Sequence, residues 1–200
     1  MASREVGVGA GVAQPQQAAR TRILETAYDL FSHNGVRAVG IDRIIAEANI
    51  AKATLYRHFP SKEDLVLAFL ELREQRWTRD WLETETERRA RSPKEHAVAI
   101  FDTLDEWFHS ADFEGCSFIQ TLLEIRDPDS AIHRAAAQHL GVIREKLARY
   151  AEQAGARDPE ETSYQLQILL MGAIVSAARG DHAAARRART FAELLLETSS

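Results

Sequence analysis

Apolar residues recur at three- and four-residue spacing along almost the whole chain, and no stretch alternates apolar with polar as a half-buried strand would. Breakers are sparse, with 10 Gly and 5 Pro in 200 residues. This periodicity predicts an all-α fold of about nine helices. Ile23, Leu24, Ala27, Leu30 and Phe31 mark a first helix over 18–34, stopped by Asn34-Gly35. Two short helices follow over 41–48 and 52–58, with Asn49 in the turn and Pro60 closing the second. Ser61, with Asp64 three residues on, caps a long helix reaching residue 91. Ser92-Pro93-Lys94-Glu95 opens a helix to 109, and another covers 116–126. Asp127-Pro128-Asp129 restarts the chain to 155, Asp158-Pro159 opens a helix to 180, and Asp181 caps a last one to 197.

Composition narrows the class. With 45% hydrophobic and 28% charged residues the chain is globular, neither disordered nor collagen-like. One cysteine, Cys116, excludes a disulfide framework and a cysteine-rich zinc site, and reads as a small buried hydrophobe. The most apolar run, Leu166 to Ala178, is interrupted by Gln167, Gly172 and Ser176 and is far shorter than the roughly 20 residues a membrane span needs. Residues 1–17 have no positive region ahead of their weak apolar part, so a disordered tail is expected rather than a signal peptide, and a cytoplasmic protein with no membrane partner. The net charge of −5 hides an asymmetry. Residues 18–62 hold seven basic side chains against four acidic ones, a difference of +3; Arg4 and Glu5 cancel, so the rest carries −8. A basic head on an acidic body suits phosphate binding through one domain.

Two short helices across a tight turn, braced by a preceding helix, make a helix-turn-helix unit. In its second helix Leu55 and Phe59 lie four apart and face inward. Lys52, Thr54, Tyr56, Arg57 and His58 are left to project outward, while Ala51 and Ala53 allow close approach to a groove. Lys62, at a helix start, can meet a phosphate beside backbone amides. Arg22 and Gly40 complete the expected DNA-binding set of Arg22, Gly40, Lys52, Ala53, Thr54, Tyr56, Arg57, His58 and Lys62.

On Ile44-Ile45-Ala46-Glu47-Ala48, Lys52-Ala53-Thr54-Leu55-Tyr56-Arg57-His58-Phe59 and Ser61-Lys62-Glu63-Asp64-Leu65, the chain resembles the TetR family of bacterial transcriptional regulators. Strict resemblance covers about residues 20–70. Phe113-Glu114-Gly115-Cys116-Ser117-Phe118-Ile119, with Glu124 and Asp127-Pro128, also looks like a common regulatory domain of that family. Departures are Val39-Gly40 where two hydroxyl residues often open the second helix, Asn49 for a common turn glycine, and Ala53 for a common recognition-helix glycine. The resemblance implies a homodimer that binds a palindromic, double-stranded DNA operator and releases it when a small molecule enters the C-terminal domain. The domains expected are a tail (1–17), a helix-turn-helix DNA-binding domain (18–62) and a helical ligand-binding and dimerisation domain (63–200).

The same resemblance implies an apolar cavity between the central helices. Its expected lining is Arg73, Trp77, Phe101, Leu104, Phe108, Phe118, Gln120, Leu122, His139 and Met171, with Arg73, Gln120, Glu124 and His139 as polar groups. The last two helices carry the dimer expectation from their own residues. Leu166, Leu169, Leu170, Ala173, Ile174 and Ala177 form a wide apolar face, Gly172 and Ser176 allow close approach, and Phe191, Leu194 and Leu195 continue it. A dimer would place two recognition helices one DNA turn apart, roughly 34–36 Å. Two other classes are compatible with a helical chain: a helical module binding an acidic partner protein, and a metal-dependent helical-bundle enzyme. The latter would use Glu106 and His109, spaced Glu-x-x-His, but di-metal bundles need two such units and no second one exists in the sequence. No enzyme activity, cofactor or metal is expected.

Overall fold

A computed structural model describes residues 13–199 of the chain, with the side chains of 16–199. Among the described residues every regular element is helical. The helices are α1 (Ala13–Asn34), α2 (Ile41–Ala48), α3 (Lys52–His58), α4 (Lys62–Arg73), α5 (Thr84–Arg89), α6 (His96–His109), α7 (Ser117–Glu124), α8 (Ala131–Ala154), α9 (Pro159–Ala178) and α10 (Ala184–Ser199). A π-helical segment, Glu74–Glu83, joins α4 to α5 without a break, so they form one continuous helix over 62–89. Counted that way, nine α-helical rods stand among the described residues, as the periodicity predicts. α1 begins five residues earlier than expected; residues 1–12 of the expected tail lie outside the described residues.

Several ends follow from side chains the sequence singled out. Ser61 and Asp64 form a reciprocal cap: the Ser61 amide donates to Asp64 Oδ2 (3.0 Å), and the Asp64 amide to Ser61 Oγ (3.1 Å). The Asp158 carboxylate accepts the Glu161 amide at 3.0 Å, opening α9 with Pro159 in its first turn. Asp181 accepts the Ala183 amide at 3.2 Å ahead of α10. Around Pro93 the chain makes a 3₁₀ turn, Pro93–Glu95, before α6.

The chain divides into two compact units, at 69/70 rather than the expected 62/63. The first ends at Phe69 because the opening turns of α4 supply Leu65, Val66 and Phe69 to its core. There they join Ile23, Ala27 and Phe31 of α1, Ile44 of α2 and Leu55 of α3, all nearly or fully buried. Phe69 meets Phe31 at 5.4 Å and Tyr28 at 5.6 Å between ring centroids.

In the second unit α6 and α8 are central. α8 packs on α7 and α9, and α10 on α9 and α6. Phe101, Leu104 and Phe108 of α6, Phe118 of α7, Leu147 of α8 and Leu166 of α9 are essentially inaccessible. The buried face of α10 is Ala184, Ala185, Ala188 and Ala192, small side chains that let its backbone come close to its neighbours. The buried Lys146 is paired with Glu83, which offsets the cost of placing its charge inside. Among the described residues no helix is long and apolar enough to cross a membrane.

Candidate nucleic-acid interface and ligand cavity

The interface in the first unit is built by one turn. α2 closes at Asn49, which takes left-handed geometry (φ 49°, ψ 58°). Its amide returns to the Ala46 carbonyl (3.2 Å), and that of Ile50 to Ile45 (3.2 Å). α3 then starts from Ala51, with Leu55 fully buried and Phe59 nearly so, as the four-residue spacing predicts. Lys52, Ala53, Tyr56 and Arg57 are exposed on the opposite side, Tyr56 at 40%. Thr54 is half-buried. Arg22 on α1 and Gly40, the N-cap of α2, are exposed, and no side chain caps α2 there. Lys62 is half-buried and engaged within the protein.

His58 departs from the expectation. It is half-buried, and its Nε2 is out of solvent with no hydrogen-bond partner among the described residues. α3 ends at His58, and Phe59 leaves the helix extended (φ −135°), so a face assigned by helical spacing stops applying there. The basic head is also partly spent on structure. The Arg20 guanidinium lies 5.0 Å from the centre of the Phe59 ring, and Arg43 pairs with Glu47 at 2.8 Å. Lys52 stands 3.8 Å from Asp42, both well exposed, so water and salt screen that pair.

A cavity of about 290 Å³ lies in the second unit, near the lower end of the size range for small-molecule sites. Of the expected lining it takes Arg73 and Trp77; Trp81, Glu106, Trp107, Ser110 and Asp112 complete it. Trp77 and Trp81 come from the π-helical segment and Trp107 from α6. Their ring centroids are 5.1 Å (Trp77–Trp107), 5.7 Å (Trp77–Trp81) and 5.8 Å (Trp81–Trp107) apart. Trp77 and Trp81, four apart on a helix, were the available sequence signal. Phe101, Leu104, Phe108 and Phe118 are packed instead in the core, where large rings have most area to remove from water. Gln120 is held by Glu124 at 3.1 Å. Leu122 and Met171 are half-buried. His139 stacks on Phe118 at 5.1 Å, and burial holds its imidazole below the usual range, against the pull of Glu74 and Glu71. The Cys116 thiol is buried and pushed up by that burial, so it is a poor nucleophile.

Glu106 and His109 each have another partner. Glu106 pairs with Arg89, and His109 Nδ1 meets the Asp105 carbonyl at 2.6 Å.

On α9, Leu166, Leu170, Ala173, Ile174 and Ala177 are buried within a single chain, and Leu169 is half-buried. That apolar face serves the chain's own core. A second stripe remains outside: Tyr164, Ile168 and Val175, with Gly172 between them. On α10 Phe191 and Leu194 are exposed at 61% and 53%, and Leu195 is half-buried.

The family described as bacterial regulatory proteins, tetR family, matches residues 23–69. Among curated proteins, the HTH-type transcriptional regulator QacR of Staphylococcus aureus is 36% identical over 62 residues, 31% of this chain and 33% of QacR. The HTH-type transcriptional regulator UidR of Escherichia coli is 43% identical over 54 residues, 27% of this chain and 28% of UidR. The chain thus matches about a third or less of the length of these curated relatives. Solved structures extend the likeness. A TetR-family transcriptional regulator of Streptomyces coelicolor superposes with TM-score 0.83 at 31% identity, over 92% of this chain and 97% of that one. A Streptomyces avermitilis protein described as a putative TetR transcriptional regulator gives 0.80 at 27% identity, over 90% and 97%.

Proposed function

This chain belongs to the TetR family and is a DNA-binding transcriptional regulator rather than an enzyme, and on that premise we propose that it is a cytoplasmic, ligand-responsive repressor whose homodimer holds a palindromic operator until a small molecule releases it. The observation that carries the reading is the outward face of α3, where Lys52, Ala53, Tyr56 and Arg57 stand exposed on a helix anchored by Leu55. Arg57 and Lys52 supply charge to phosphates, and Tyr56 supplies a donor at groove depth. Arg22, Thr54, Lys62 and the open amide end of α2 at Gly40 flank them as backbone contacts.

The homodimer is supported by the exposed stripe of α9 together with Phe191 and Leu194 of α10, large apolar side chains that water disfavours on a lone protomer. Ligand response is supported by the tryptophan-lined cavity. A ligand that binds one arrangement of the dimer better than the operator-holding one shifts the population by that difference in affinity.

A gel shift on the DNA upstream of the chain's own coding sequence tests the assignment. Tyr56→Ala and Arg57→Ala each weaken binding at least about tenfold, as losing one specific contact does. Glu160→Ala, far from α3 in sequence and exposed, leaves it unchanged. Equal affinity for all three variants overturns the role of α3.

A further inference from the structure

One cation on the outward face of α3 already has an anion beside it. Lys52 opens α3, and its ammonium stands 3.8 Å from the carboxylate of Asp42. The contact crosses the turn, because Asp42 belongs to the first turn of α2. Arg43 and Glu47, by contrast, are neighbours on α2 at 2.8 Å, and Arg43 also reaches Asn34 of α1 at 3.5 Å, so that contact braces one helix on another. Asp42 and Lys52 brace little, since an ion pair so exposed to water adds almost nothing to stability. What distinguishes Asp42 is its place. It lies at the positive end of α2, where the N-cap Gly40 offers no side-chain acceptor, and beside an ammonium on the outward face of α3. A helix start and a lysine are the surroundings in which proteins hold a DNA phosphate. The carboxylate therefore sits where a phosphate is drawn, with the same sign of charge.

We propose that Asp42 is a positioning residue of the DNA interface: a phosphate mimic that occupies Lys52 off DNA and so lowers affinity for duplex of any sequence. The proposal rests on reading α3 as the DNA-binding face. Its consequence follows from counterion release. A lysine arriving at a phosphate from water frees a condensed cation, and the logarithm of affinity falls with that of salt by about 0.9 per phosphate neutralised. A lysine that leaves a carboxylate for the phosphate bares that carboxylate, which recruits a cation as the phosphate gives one up. Net release at Lys52 is then close to zero. Non-operator DNA is held almost wholly by contacts of this kind, so masking one of them keeps the regulator from being dispersed over the chromosome.

The test measures the affinity of the full chain, by fluorescence anisotropy across a salt series, for a labelled duplex of scrambled sequence and for the DNA upstream of its own coding sequence. Asp42→Asn is expected to tighten binding to both at least about threefold at low salt, and to steepen the salt dependence by about 0.9 for each recognition helix engaged. Asp42→Glu keeps the charge and the parent's salt dependence. Lys52→Gln has little effect in the parent and weakens binding at least about threefold in the Asp42→Asn background, because only there is its charge unmasked. A misfolded head cannot produce a gain in binding, so the first result stands apart from any loss of structure. Three results overturn the proposal: an unchanged affinity and salt dependence in Asp42→Asn, an equal tightening by Asp42→Asn when Lys52 is already Gln, or Asp42→Glu behaving as Asp42→Asn. The second of these marks a carboxylate that repels DNA directly. Arg57→Ala and Tyr56→Ala separate this from the reading of α3. If both bind either duplex as the parent does, the α3 face falls and the proposal with it. If both weaken binding while Asp42→Asn is silent, the phosphate mimic alone is lost.

Discussion

Asn49 carries the turn between α2 and α3 in a conformation that L side chains adopt at a cost, relieved in part for asparagine by its short polar side chain. Asn49→Ala should therefore destabilise the first unit by about 1 kcal/mol, and Asn49→Gly should cost less or nothing, read as urea midpoints. Tyr150 makes a separate case. Burial pushes its phenol up to about 12 from an ordinary 10.0, with Glu87 and Glu83 adding to the shift. A folded state that holds its proton longer than the unfolded chain is favoured fully below pH 10, and loses that advantage as pH rises from 10 towards 12. The loss is about 3 kcal/mol, and Tyr150→Phe should remove it from the alkaline limb of a stability profile. The hydroxyl is buried with no hydrogen-bond partner among the described residues, so the same variant should be at least as stable as the parent at neutral pH. Both positions show the limit of spacing arguments. Asn49 was legible because turn chemistry is local, while the isolation of the Tyr150 hydroxyl depends on neighbours from distant segments.

At the scale of elements, caps were the most readable feature. Ser61 and Asp64 close their box as written in the sequence, and Ser61→Ala should cost about 1 kcal/mol, measurable as a fall in melting temperature with DNA absent. The π-helical segment was not legible. A helix that accepts an extra residue per turn does so because its packing demands it, and no residue between Glu74 and Glu83 signals this by type alone. The expected cavity lining accordingly includes Phe101, Phe108 and Phe118, rings that the structure packs in the core, and omits Trp81 of that segment. The half-burial of His58 shows a related limit: helical spacing is informative inside a helix and loses meaning at its last residue.

At the scale of the whole molecule, the all-helical architecture followed from periodicity alone, and the regional charge asymmetry pointed to the DNA-binding end. The assembly surface was less readable. From Leu166 on, α9 is apolar nearly all round, and the face with the denser apolar spacing, expected at the dimer surface, is the one the chain buries itself: burial assigns Leu166, Leu170 and Ile174 to one chain's core and leaves Ile168 and Val175 outside. On the homodimer proposed above, that outer stripe makes folding a matter of abundance. The melting temperature should rise with protein concentration, each tenfold increase adding about 1.4 kcal/mol of dimer stability, and Phe191→Glu should abolish the dependence. A protomer without its copy would then carry Phe191 and Leu194 bare into a cell full of proteases. Surplus subunits would be cleared before paired ones, so turnover would hold the working pool to assembled regulator.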